Sequence, residues 1–259
     1  MYKSLSANDF RKYLKLPPDY KVDGLLVTGV FDLWGDELHL PHVVNYLNDA
    51  EVPYEISKFK QKAIGHAHEL KIDSKIIWFV PVMGTAVMSI YAHVASLLGS
   101  RKNILIGTVG GLSMQVNPED LIFPTKVFGN DNSLKYQPDN LDKYFYPDAA
   151  LTNKLISKTP ENIKTITGPT ITCETMLGET LEDIKTWSHE GFLGVEMEAA
   201  LIFALSSYFK IPAAAILTVS DNLIKEETML HENHQKYEGL KNKIRETQYK
   251  LALDELLEA

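Results

Sequence analysis

Apolar residues recur along this chain in two rhythms. Gly24–Val30 (GLLVTGV), Lys75–Val82 (KIIWFVPV), Lys102–Gly107 (KNILIG) and Ala213–Val219 (AAAILTV) are apolar at almost every position and of strand length. A strand without a polar face is covered on both sides, as in a parallel sheet under helices. Asp120–Phe128, interrupted by Pro124, and Ile163–Thr172 read as further strands. Pro53–Leu70 alternates only weakly and predicts strand pieces or an irregular excursion. The other rhythm is helical. It predicts helices over Ser6–Leu16, with Ser6 or Asn8 as N-cap and Pro17-Pro18 behind it, and from about Pro41 to Asn48. Ala86–Leu98, Ala149–Lys158, Glu179–Glu190, Ala199–Phe209 and about Glu232–Leu257 follow. Strands that alternate with helices predict an α/β fold of three α/β/α layers around a mixed, mostly parallel central sheet. A single domain over 1–259 is expected, with residues 1–20 as an N-terminal helical extension. Gly129–Pro147 reads as a long polar loop, and loops of that length in a compact domain are usually functional or mobile.

Composition narrows the function. The 259 residues carry a formal net charge of −8, which disfavours nucleic acid and anionic membrane as partners. The single cysteine, Cys173, excludes an internal disulfide and fits a reducing compartment. The polar N-terminus lacks the apolar core of a secretory signal, and no run approaches the ~18 apolar residues of a membrane span. A cytoplasmic protein is expected.

Several candidate chemistries fail on spacing. Gly107-Thr-Val-Gly-Gly111 follows a strand but matches neither a dinucleotide fingerprint nor a Walker loop; it reads as a tight turn whose amides and Thr108 hydroxyl could form an anion nest. His66 and His68 on one side of a strand, and His231 and His234 at helical spacing, lack a third ligand, so no metal is expected. No serine sits in a G-x-S-x-G elbow, and Cys173 has no evident partner. Phe31, Trp34, Tyr91 and Tyr136 are either core residues or rings that stack on a ligand. Glu196, Glu198 and Asp221 are different. The first two stand at the entrance of an almost wholly apolar helix, and Asp221 stands at the end of the next strand. Carboxylates at the entry of a buried helix must face a cavity, a partner or an ion. Open α/β sheets bind ligands outside the carboxyl ends of their strands.

Gly194-Val-Glu-Met-Glu-Ala-Ala200 followed by Thr218-Val-Ser-Asp221 resembles the signature of the purine nucleoside phosphorylase and uridine phosphorylase superfamily, which includes the methylthioadenosine, S-adenosylhomocysteine and AMP nucleosidases. Val82-Met-Gly-Thr with Ser89-Ile-Tyr91, Gly107-Thr-Val-Gly-Gly-Leu112 and Asp131–Tyr136 agree with it. The resemblance runs from about Gly24 to the C-terminus and is strong near these motifs. It implies a nucleoside phosphorylase-like fold and cleavage of the N-glycosidic bond of a purine nucleoside. Inorganic phosphate would be co-substrate, with no other cofactor. By resemblance Glu198 holds ribose hydroxyls, and Met197 and Met83 pack on the sugar. Asp221, with Ser220 beside it, gives a proton to purine N7. Thr108, Gly110, Met176 and Glu196 complete the substrate site. Met176 stands where the purine enzymes place an aromatic against the base. The family also implies a homo-oligomer, dimer to hexamer.

The departures concern phosphate. Leu105 occupies the position of an arginine that precedes the Gly-Thr turn in the phosphorylases, and the loop Val30–Leu40 contains no Arg or Lys. A third arginine, lent by a neighbouring subunit, would fall near Lys60–Lys62. Gly29 and Thr108 remain as phosphate candidates, and one lysine does not replace two guanidinium forks. Two readings stay open. Phosphate binds through backbone amides and lysine, or water is the nucleophile with Asp32, Asp36 or Glu37 as its base. A non-catalytic binding or storage protein is the third.

Overall fold

The computed structural model describes residues 2–30, 35–60, 64–130, 132–227 and 238–258, with backbone alone at 35–37 and 238–241. Ser6 caps α1 (Ala7–Leu14): its hydroxyl accepts the Asp9 amide while the Asp9 carboxylate accepts the Ser6 amide. Two donors that the first helical turn leaves unpaired are satisfied reciprocally. β1 (Gly24–Gly29), α2 (Gly35–Asp49), β2 (Tyr54–Lys58), β3 (His68–Ile72), β4 (Lys75–Val82) and α3 (Thr85–Leu97) follow. Then come β5 (Asn103–Gly111), β6 (Leu121–Gly129), β7 (Tyr144–Phe145), α4 (Ala149–Lys158), β8 (Thr165–Thr172) and α5 (Leu181–His189). β9 (Gly194–Glu196), α6 (Ala199–Phe209), β10 (Ala213–Asn222) and α7 (Glu238–Leu257) complete the order.

The strands form one mixed sheet. Its centre, β4-β1-β5-β10, is parallel and consists of the four runs that are apolar at almost every position. Alternate residues of these strands feed opposite cores. Leu25, Val27, Leu105, Ala215 and Leu217 pack with α3 and α6, whereas Leu26, Ile104, Ile106, Ala214 and Ile216 pack with α2, α4 and α7. Both faces are covered, so both sets of positions are predominantly apolar. Beyond the centre the pairing becomes antiparallel, at β3–β4 and β2–β3 on one side and β10–β6 on the other. β10 pairs with both β5 and β6, and β9 joins β5 to β8. With β6–β8, this end of the sheet closes on itself as a small ring of strands.

Four local expectations change. Gly107–Gly111 is not a tight turn: β5 continues through it, pairing Thr108 with Thr218 of β10 and Gly110 with Val195 of β9. Strands on both sides supply the hydrogen bonds that a turn would otherwise make internally. Gly111 fits there because a Cβ would lie 2.8 Å from Val116 Cγ2. α2 starts at Gly35 and takes Pro41 into its interior instead of its first turn; burial of Val43 and Leu47 farther along holds it against the core. β6 runs through Pro124 because its pairing with β8 shifts register between Pro124 and Lys126. A bulge accommodates a residue that has no amide to donate. The loop Gly129–Pro147 contains a 3₁₀ turn, Asn132–Lys135, and β7. Among the described residues no helix is long and apolar enough to cross a membrane.

Candidate active site

The site grows from the junction of β9 and α6. Glu196 ends β9, and its Oε2 accepts the amides of Glu198 at 2.7 Å and Ala199 at 2.6 Å. Its Oε1 accepts the Thr172 hydroxyl, and Thr172 Oγ1 accepts the Ala200 amide at 2.9 Å. An acidic group and a hydroxyl thus occupy the amides at the start of α6, where the helix dipole favours negative charge. Glu198, the N-cap residue, turns away from its own helix. Its Oε1 accepts the Gly84 amide at 2.5 Å, at the entrance of α3. Its Oε2 covers Gly29 so closely that a Cβ there would lie 2.8 Å away. Glu198 is 7% exposed, and burial, reinforced by Glu196, pushes its carboxyl up to about 8 against the pull of the Gly84 and Met197 amides.

β10 delivers the third carboxylate. Its pairing with β5 shifts register between Val219 and Asp221, so the ladder resumes at Asp221–Gly110. Ser220, skipped by the ladder, donates its hydroxyl to Asp221 Oδ1 at 2.7 Å. A bulge of this kind re-aims side chains at a strand end.

These elements surround a cavity of about 480 Å³. Gly29, Met83, Thr108, Gly110, Met176, Glu196, Met197, Glu198, Ser220 and Asp221 all line it. They come from the ends of β1, β4, β5, β9 and β10 and from the 3₁₀ turn Met176–Gly178. Phe31, Asp32, Trp34, Lys62, Asp131, His231 and His234 lie outside the described residues, as do the side chains of Asp36 and Glu37. Tyr91 is buried on α3, and Tyr136 packs against His93 and Tyr208, so neither ring lines the cavity. His66 is exposed while His68 is buried, so the two do not share a face.

Sequence reasoning missed part of the lining. Leu177, Leu181, Ile184 and Leu223 form an apolar wall, and Cys173, Glu179 and Glu226 add polar groups. Glu179 reads in sequence as the first residue of a helix. The helix begins at Leu181 behind a capping box of Thr180 and Asp183, which leaves Glu179 facing inward. Burial raises the Glu179 carboxyl; the Cys173 thiol, donating to it at 3.1 Å, lowers it, and Asp221 raises it further. Burial also raises the Cys173 thiol, which keeps it protonated and a poor nucleophile. Among the described residues the lining contains no Lys, Arg or His. Leu105 points into the core beside Val27 and Ala215 and is 1% exposed.

Residues 33–250 match the family model of the phosphorylase superfamily. The purine nucleoside phosphorylase DeoD-type of Clostridium beijerinckii is 31% identical over 159 residues, 59% of this chain and 65% of its own length. The protein of that name from Alkaliphilus metalliredigens is 30% identical over 148 residues, 55% of this chain and 62% of its own. The match spans less than two thirds of either relative. The namesake from Exiguobacterium sibiricum is 29% identical over 174 residues, 65% of this chain and 73% of its own. A uridine phosphorylase structure from Vibrio fischeri ES114 has the same fold, with a TM-score of 0.66, 18% identity and 92% of each chain covered.

Proposed function

The chain belongs to the phosphorylase superfamily, and from that premise we propose that it cleaves the N-glycosidic bond of a purine nucleoside, passing the sugar to inorganic phosphate. The observation that carries this is the meeting of Glu198 and Asp221 in one cavity. As the C1′–N9 bond breaks, its electron pair leaves with the base and positive charge develops on the sugar. Asp221, oriented by Ser220, gives its proton to N7, so that the base departs neutral. Glu198, held between Gly29 and the Gly84 amide, accepts ribose hydroxyls and stabilises the cationic ring. Met83 and Met197 pack on the sugar, and Met176 lies against the base. A phosphate oxygen then bonds to C1′, with Thr108 and the backbone at Gly29 and Gly110 as its anchorage.

Water as the acceptor is the second reading, and one observation favours it: the described lining offers five carboxylate side chains, Glu179, Glu196, Glu198, Asp221 and Glu226, and no cation for phosphate. Incubation with adenosine, inosine and methylthioadenosine, with and without phosphate, separates the two. Base release that requires phosphate supports phosphorolysis; release at full rate in its absence sinks it. Asp221→Asn is expected to lower turnover by roughly 10²-fold or more, and unchanged turnover would refute the acid's role. A homo-oligomer in the range of dimer to hexamer is expected to accompany the activity, with sedimentation as its measure.

A further inference from the structure

Glu179 lines the cavity between the 3₁₀ turn Met176–Gly178 and the cap of α5. Its side chain makes one hydrogen bond to the described residues, the 3.1 Å contact from Cys173 Sγ to Oε1. The thiol fixes the carboxyl's orientation, and Oε2 is left to whatever enters the cavity. Asp221 lines the same space, close enough for its charge to act on Glu179. The described lining contains no basic side chain.

We propose that Glu179 is a specificity-determining residue that reads the base, accepting an N–H of the amino group of a 6-aminopurine and selecting against a 6-oxopurine. This rests on the reading in which Asp221 protonates N7. In a purine, N7 and the substituent at C6 lie on one edge. A second carboxyl lining the same cavity as the one at N7 can meet that substituent. With Asp221 holding the transferable proton, Glu179, whose Oε1 already accepts the Cys173 thiol, presents Oε2 as an acceptor and is satisfied by a donor. An amino group supplies it. A carbonyl sets lone pairs against lone pairs and leaves both groups desolvated and unpaired, the situation in which a site rejects an analogue strongly.

The test compares kcat/KM for adenosine and inosine in the wild type and in Glu179→Gln, whose amide can donate to a carbonyl. The wild type is expected to prefer adenosine by roughly 10- to 100-fold, and the variant to bring that ratio to about one, mainly by losing adenosine turnover. A loss of packing alone would slow both substrates and leave the ratio in place. A wild type indifferent to the two, or an unchanged ratio in a folded variant, overturns the proposal. If no nucleoside turns over, the proposed reaction is at fault, and equilibrium binding of adenine against hypoxanthine tests Glu179 by itself. Tighter adenine supports it and equal Kd values overturn it. Should Glu179→Gln not fold, wild-type binding of adenine against unsubstituted purine decides: adenine must bind more tightly.

Discussion

Burial and the neighbouring Glu196 act on Glu198 in one direction, and the amides of Gly84 and Met197 in the other. Burial prevails, and the folded chain holds this proton up to about 8, against 4.5 ordinarily. A carboxyl whose proton is held more tightly when folded favours folding at low pH. That contribution is complete below about 4.5 and disappears as pH rises through about 8. Glu198→Gln keeps an acceptor for the Gly84 amide and removes the titration. Relative to the wild type its melting temperature is expected to rise as pH is raised across this window, by a few degrees, on the order of 1–3 kcal/mol. Melting curves at several pH values check this, and a pH-independent difference would contradict it. Above about pH 8, where wild-type Glu198 is ionised, the same variant should bind nucleoside less tightly, because a neutral amide accepts ribose hydroxyls more weakly than a carboxylate.

Among the elements, α6 shows how a cavity can be lined by charge next to an apolar helix. Its first amides are held by Glu196 and Thr172, from two different strands, and this clamp sets the direction in which Glu198 leaves the helix. Thr172→Val keeps the shape and removes both the donor to Glu196 and the acceptor for Ala200. A cost of about 2 kcal/mol or more is expected, since two buried groups lose partners. Thr172→Ser should restore most of it, and urea unfolding measures both. The capping boxes at Ser6–Asp9 and Thr180–Asp183 are visible as spacings of three residues. The Thr172–Glu196 clamp spans 24 residues and joins neighbouring strands, so no local pattern announces it.

At the scale of the whole molecule, the C-terminal helix α7 covers one face of the sheet and is fastened at its end. Glu255, 1% exposed, takes Lys102 at 2.7 Å, Lys154 at 2.9 Å and Lys158 at 3.3 Å, which ties α7 to α4 and to the start of β5. Burial works against its charge, yet the three lysines hold its carboxyl below the usual range. Its contribution is present above the ordinary value of 4.5 and lost as pH falls below it. Glu255→Gln is therefore expected to destabilise the protein by roughly 1–3 kcal/mol at neutral pH, discounted for the solvent-reached lysine heads. The difference should shrink as pH drops below that value. Chemical denaturation at neutral and acid pH is the measurement, and a difference that persists in acid would contradict the ion-pair account.

The sequence by itself determined the elements and the motif residues. A strand buried on both faces is apolar at almost every position, and a buried helix entered by two glutamates must turn them toward something. Those constraints are local, so β1, β4, α4, α6 and β10, together with Glu198 and Asp221, were legible from runs and spacings. The tertiary structure decided what depends on distant partners. The ring closed by β10 rests on pairing with β5 and β6 at once, and the glycine-rich end of β5 becomes strand because β9 and β10 flank it. Glu179 enters the cavity because α5 starts two residues later than its pattern suggests. The loss of the arginine at Leu105 was legible in sequence, whereas only the fold places Lys60 at the surface, outside the described lining. A side chain's chemistry is written in its own position, whereas the charge of a cavity is the sum over strands that only packing brings together.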